Sequence, residues 1–320
     1  MSRHSSSSSH RAPLAAILAV PLVVAAILTL FAWPTAKVGP RDLPVGVSGP
    51  AAMQQRLNDR FEVHRYASAS DARAAIEDRE VYGAFVAGPD GPTVLIASAA
   101  GPAVAQMLTH AAAEAGAGVE DVVASTSAGG ALATSLLPLV LAGLLTGALA
   151  AAMTASPGRR AALVAGGSLL AGLAATGIVQ GWLDVVEGDW VANAAGLSLM
   201  VLAIAALTAG LEALIGRAGI LVTALTMVFV GNPFAAVATG PEMLPPPAGA
   251  IGQLLPPGAG GNLLRSTGFF DGAGGGEHVA VLAIWALAGL AALAGAGVAI
   301  ALALRPSPVR TDADAGIAMA

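Results

Sequence analysis

Six apolar runs divide the chain. Residues 13–33, 131–154, 161–182, 192–211, 220–238 and 279–304 contain no Asp, Glu, Lys, Arg or His. A helix rises 1.5 Å per residue, so about 20 apolar residues cross roughly 30 Å of hydrocarbon. Each run meets that length, and six transmembrane helices are predicted. A cleaved signal peptide would also have a basic start, here Arg3 and Arg11, but its apolar region is only about 7–15 residues long. The first run is longer and is expected to remain as a span.

Between the first two runs the pattern changes. Residues 37–130 hold 7 of the 15 basic and 11 of the 20 acidic residues, with short apolar stretches separated by turn signals. Strands are expected at 43–49 and 61–66. A helix led by Pro50 should reach Leu57, and a second should run from Ser68, with Asp71 three residues on, to about Arg79. The segments 81–86 and 93–97 flank Pro89-Asp90-Gly91-Pro92 and predict a hairpin. A helix over 102–115 closes a β-α-β-α-β-β-α unit. The fold class is thus an α-helical polytopic membrane protein with six transmembrane helices and an inserted small extracytoplasmic α/β domain at 34–130. A polar head (1–12) and a short unstructured tail (305–320) flank it.

The pattern breaks again at 231–276. These 46 residues hold 12 glycines and 7 prolines but only three charges, Glu242, Arg265 and Asp271. Proline interrupts a spanning helix, and the scarcity of charge is foreign to a solvated linker. Short helices are expected at 248–255 and 260–269, separated by Pro256-Pro257, with Pro233 ending or kinking the fifth span. In the loop 239–278 the few polar groups, Gln253, Asn262 and Arg265, together with Pro233, form a candidate outer gate. The plainer alternative is a cap over the helix ends.

Composition agrees with the pattern: 56% of residues are apolar and 11% charged, against roughly 25% charged in soluble domains. With the N-terminus inside, the inner segments carry Arg3, Arg11, Arg159, Arg160, Arg217, Arg305 and Arg310, whereas the two short outer connections carry Arg265 alone. This asymmetry predicts a multi-pass protein of the cell membrane with both termini cytoplasmic. A net charge of -5 gives no basic patch for nucleic acid.

Candidate chemistry is sparse. There is no cysteine, so neither disulfide nor thiolate metal site is available, and Lys37, the only lysine, does not follow a glycine-rich loop. An intact P-loop is therefore excluded. The spans contain no ionisable relay for proton coupling. His64 and His110 both fall in the α/β domain, but they lack the i, i+4 spacing of a ligand pair. No cofactor, metal or enzymatic activity is expected. Glu212 and Arg217 form either a snorkelling pair at a helix end or a contact to a partner. Gly143 and Gly147 make a small-xxx-small motif, which predicts packing within the bundle or, alternatively, between two copies.

One span, a large outer domain and five further spans with a Pro/Gly-rich loop before the last resemble the permeases of type 2 ABC transporters. The related phage-infection-protein (Pip)-like membrane proteins share this layout. The resemblance is carried by Leu43-Pro44-Val45-Gly46-Val47, Val81-Tyr82-Gly83-Ala84-Phe85-Val86, Gly231-Asn232-Pro233, Pro241-Glu242-Met243-Leu244-Pro245, Leu255-Pro256-Pro257-Gly258-Ala259 and Phe270-Asp271-Gly272. It implies an exporter subunit that pairs with a separate ATP-binding chain, acts as a permease homodimer or heterodimer in the lipid bilayer, and moves amphipathic or lipid-like substrates outward. Such permeases present a cytoplasmic helix between spans two and three, whereas only Ser156-Pro157-Gly158-Arg159-Arg160 stands there. The ATPase-coupling surface would then be Arg159, Arg160, Glu212 and Arg217. The alternative is a non-transporting envelope receptor or scaffold that displays its outer domain.

Overall fold

A computed structural model describes residues 11–57, 61–89, 91–125 and 131–303. Most of the expected polar head, the tail and Asp90 of the hairpin turn lie outside the described residues.

Six helical segments have the length and apolarity of membrane spans. They are α1 (Arg11–Ala36), α5 (Ala131–Met153), α6 (Pro157–Val179), α7 (Trp190–Ile215), the segment that begins with α8 (Arg217–Leu225), and α12 (Gly276–Ala303). Helix α7 is the axis of the bundle: α5, α6, α8 and α12 all pack on it. Asp189 starts it by accepting a hydrogen bond from the Ala192 N–H at 2.7 Å, so it begins slightly before the expected run. Helix α6 also begins early, because Pro157 fits a first helical position where its missing N–H costs nothing. In contrast, α1 is peripheral. It meets the fifth span through edge-to-face pairs of Phe31 with Phe229 and of Trp33 with Phe234, while Ile17, Val20 and Leu22 are each more than 60% exposed. Such a continuous apolar face is unusual in water.

The fifth of these segments is not a plain α-helix. After α8 it widens into a π-helix over Thr226–Gly231, then closes in the short α9 (Asn232–Phe234). The Asn232 N–H reaches back five residues to the Met227 carbonyl. The widening sits directly before Pro233, which has no N–H to continue the ladder.

The inserted unit is a five-stranded sheet in the order β2-β1-β3-β4-β5. Its strands are β1 (Leu43–Ser48), β2 (Phe61–Arg65), β3 (Gly83–Gly88), β4 (Gly91–Ile96) and β5 (Gly118–Asp121). Only β3 and β4 pair antiparallel. Helix α2 (Ala51–Leu57) follows β1, α3 (Ala69–Glu77) follows β2, and α4 (Pro102–Ala115) crosses from β4 to β5. Ser68 caps α3 through the Asp71 N–H, as its position in the sequence implies. The fifth strand departs from the expected unit; its four residues are all exposed and carry no alternation.

The Pro/Gly-rich segment joins sheet and bundle. It forms a 3-10 turn (Pro241–Met243), α10 (Ala248–Gln253) and α11 (Pro256–Phe269). Pro256 and Pro257 open α11 rather than separating two helices, because the first turn tolerates proline. Nearly every α11 residue is buried. Glycine permits this: a Cβ on Gly260 would lie 2.4 Å from Met200 Sδ, and one on Gly261 would lie 2.5 Å from Val237.

The Gly143/Gly147 motif packs inside the chain. A Cβ on Gly147 would stand 2.5 Å from the Ala205 carbonyl oxygen of α7. Gly147→Leu is therefore expected to force α5 off α7 and destabilise the bundle by at least about 1–3 kcal/mol, the usual cost of overpacking. A lowered midpoint of thermal unfolding in detergent would register it; an unchanged midpoint would contradict the contact.

Candidate functional site at the sheet–bundle seam

Two residues of the Pro/Gly-rich segment belong to the sheet's own cores. Phe270 packs with Ala72, Ile76, Ala84 and Leu95 on the α3 side, and Met243 packs with Leu43, Val94 and Leu108 on the α4 side. Backbone bonds add to this grip. The Gly39 N–H donates to the Met243 carbonyl at 2.9 Å, and the Ala103 N–H donates to that of Ala238 at 3.3 Å. Arg41 donates to the Met243 carbonyl at 3.0 Å.

Between these anchors lies a buried polar chain. Gln253 donates to the Ala235 carbonyl at 3.1 Å and accepts from the Asn262 amide at 2.6 Å. The Asn262 Oδ1 faces the other way and accepts from Arg265 at 2.8 Å and from Arg79 at 3.4 Å. Arg265 also donates to Ala99 O at 2.8 Å and to Val237 O. Arg79 also donates to Ser266 Oγ and lies 5.3 Å above the Phe270 ring. The three polar gate candidates Gln253, Asn262 and Arg265 thus meet in one network. Pro233 stays apart in α9 and enters none of these bonds.

Arg79, Tyr82 and His278 also reach this seam, although the sequence reading did not single them out as site residues. Arg79 follows α3 with φ 61°, a left-handed conformation usually given to glycine at a helix end. That conformation costs a non-glycine residue roughly 1–2 kcal/mol and directs its guanidinium toward α11. A helix that ends in Asp78-Arg79-Glu80 without glycine or asparagine was the available signal.

A cavity of about 300 Å³ opens along the seam. Arg79 and Tyr82 line its sheet wall, Glu242 and Asn262 the wall of the Pro/Gly-rich segment, and Glu277 and His278 the first turn of α12. Tyr82 donates to Glu242 at 2.7 Å; burial, followed by the charge of Glu242, pushes its phenol above the ordinary range. Burial and the nearby Arg79 lower Arg265 to about 10, and burial lowers Arg79 as well.

At the opposite end of the bundle, the expected surface cluster separates. Arg160 is 8% exposed and pairs with Glu212 at 2.5 Å. It also donates to the Ala151 carbonyl at 3.1 Å and to that of Thr154 at 3.0 Å. Glu212 therefore takes Arg160 as its partner rather than Arg217, while Arg159 and Arg217 are exposed. Gly216, with φ 68°, ends α7 between Glu212 and Arg217 and redirects the chain. In the sheet, His64 lies 3.4 Å from Glu62, whereas His110 lines a separate cavity beside Ser98 and Thr109.

Compared with protein-family models, with curated proteins and with solved structures, the chain has no significant match.

Proposed function

We propose that this chain is the membrane-spanning subunit of an exporter, energised by a separate ATP-hydrolysing chain and moving an amphipathic substrate outward across the cell membrane. The observation that carries this reading is the seam. A cavity with charged walls lies between a sheet domain and the end of an otherwise apolar bundle, and α11 joins the two bodies around it. Movement of the bundle would reshape that cavity through Arg265, which bonds Ala99 of the sheet domain and Val237 after the fifth helical segment, and through Asn262, which lines the cavity and accepts from both Arg265 and Arg79. In this reading the sheet faces outward, both termini are cytoplasmic, and a second permease copy completes the path.

The partner would dock at the far end on Arg159 and Arg217, because Arg160 and Glu212 satisfy each other. The α5–α6 connection there is only Thr154 to Ser156. That brevity favours a second reading, an envelope receptor without an ATPase. One experiment separates them. Affinity purification of the full chain from its native membrane is expected to retain an ATPase, and Arg159→Glu/Arg217→Glu is expected to reduce that retention at least tenfold while helicity persists. If no ATPase is retained, and deletion of the protein leaves amphiphile efflux unchanged, the exporter reading fails.

A further inference from the structure

Two guanidiniums stand at the seam, and neither bonds directly to the carboxylates near them, Glu242 and Glu277. Arg79 and Arg265 converge on one amide oxygen, Asn262 Oδ1, at 3.4 and 2.8 Å. Their other hydrogen-bond acceptors are neutral, and among the described residues neither makes an ion pair. A largely buried guanidinium that bonds only neutral acceptors is costly even with carboxylates nearby, and a phosphate matches its planar fork of donors.

The cavity wall is not uniformly basic. Glu242 and Glu277 line the same space as Arg79. A purely anionic guest would meet these carboxylates and a purely cationic one would meet Arg79, whereas a guest with both charges can satisfy both walls. Size restricts it further: about 300 Å³ sits at the small end of ligand pockets, which run roughly 300–1,000 Å³. That volume suits a headgroup rather than a whole lipid.

The rim supplies the rest. Leu254 lines the cavity and is 63% exposed, and Val279 and Ile284 of α12 are exposed within about two turns beyond Glu277. A charged pocket therefore opens where the apolar outer face of a span begins. We propose that the cavity holds the headgroup of a membrane amphiphile, with its phosphate ester on Arg79 and its ammonium toward Glu242 and Glu277. This deepens the exporter reading by naming its substrate class, but binding itself requires neither an ATPase nor transport.

The test is calorimetric titration of the purified full chain in a maltoside detergent with four probes: dihexanoyl phosphatidylethanolamine, dihexanoyl phosphatidylglycerol, glycerophosphoethanolamine and inorganic phosphate. The phosphatidylethanolamine is expected to bind at least tenfold more tightly than each of the others. Arg79→Gln should weaken it at least tenfold. Glu277→Gln, at an exposed position, should leave folding intact and bring the two short-chain lipids within about twofold of each other. Equal affinity for glycerophosphoethanolamine would overturn the membrane source, and equal affinity for inorganic phosphate would overturn the headgroup site altogether. If Arg79→Gln fails to fold, Glu277→Gln decides, and an undiminished lipid preference in it overturns the proposal. Intact binding, with no ATPase retained from the native membrane and amphiphile efflux unchanged on deletion, would instead refute only the exporter reading.

Discussion

Arg265→Met is expected to release the sheet from the bundle while leaving the long helices formed. The side chain is 3% exposed, and its donors serve Ala99 O from the sheet, Val237 O from the segment after the fifth span, and Asn262 Oδ1 from α11. Methionine fills similar space but donates nothing, so three buried acceptors lose a partner at about 1–3 kcal/mol each. Loss of the desolvated charge and of its repulsion with Arg79 offsets part of this, leaving a net cost of about 2–4 kcal/mol. Because the cost falls at the seam, it should appear there first. Hydrogen exchange of the segments around Ala99 and Val237 is expected to accelerate about 30- to 1,000-fold, with α7 unchanged. Arg265→Lys should recover only part of the protection, since one ammonium cannot reproduce the planar fork. Acceleration spread evenly through α7, or none at the seam, would rule out this role for Arg265.

The six long apolar helices were legible because a helix of fixed rise sets a minimum apolar length for a span. The same rule says little about which face of a helix is buried. Arg159 and Arg160 stand side by side in the sequence, yet consecutive helical residues point about 100° apart, and only Arg160 turns inward. Glu212 was expected to meet Arg217 because they are close in the chain, but Gly216 intervenes and the partner comes from 52 residues away. Strand β5 escaped notice because an exposed Gly-Val-Glu-Asp edge lacks the alternation of a half-buried strand. In the Pro/Gly-rich segment, Gln253, Asn262 and Arg265 stood out as scarce polar groups in apolar surroundings. Their partner Arg79 did not, because the bond that joins it to Asn262 spans 183 residues of chain and leaves no local periodicity.

At the far end of the bundle, Glu212→Gln and Arg160→Met are each expected to lower stability by about 2–4 kcal/mol, and for different reasons. Glu212→Gln leaves a guanidinium whose side chain is 9% exposed without its carboxylate. Arg160→Met leaves a carboxylate that is less costly, because the Glu212 side chain is 23% exposed and can reach water. It also strips the donors from the Ala151 and Thr154 carbonyls at the end of α5, groups that a terminating helix cannot satisfy internally. Since each change removes the same ion pair, the double variant should lose at least about 1 kcal/mol less than the sum of the single losses. Arg217→Gln, outside this pair, should leave the unfolding midpoint unchanged. Equilibrium unfolding of the four variants in mixed micelles measures this directly. Strictly additive losses would mean that the Arg160–Glu212 contact holds α6 to α7 no more firmly than its two residues do separately.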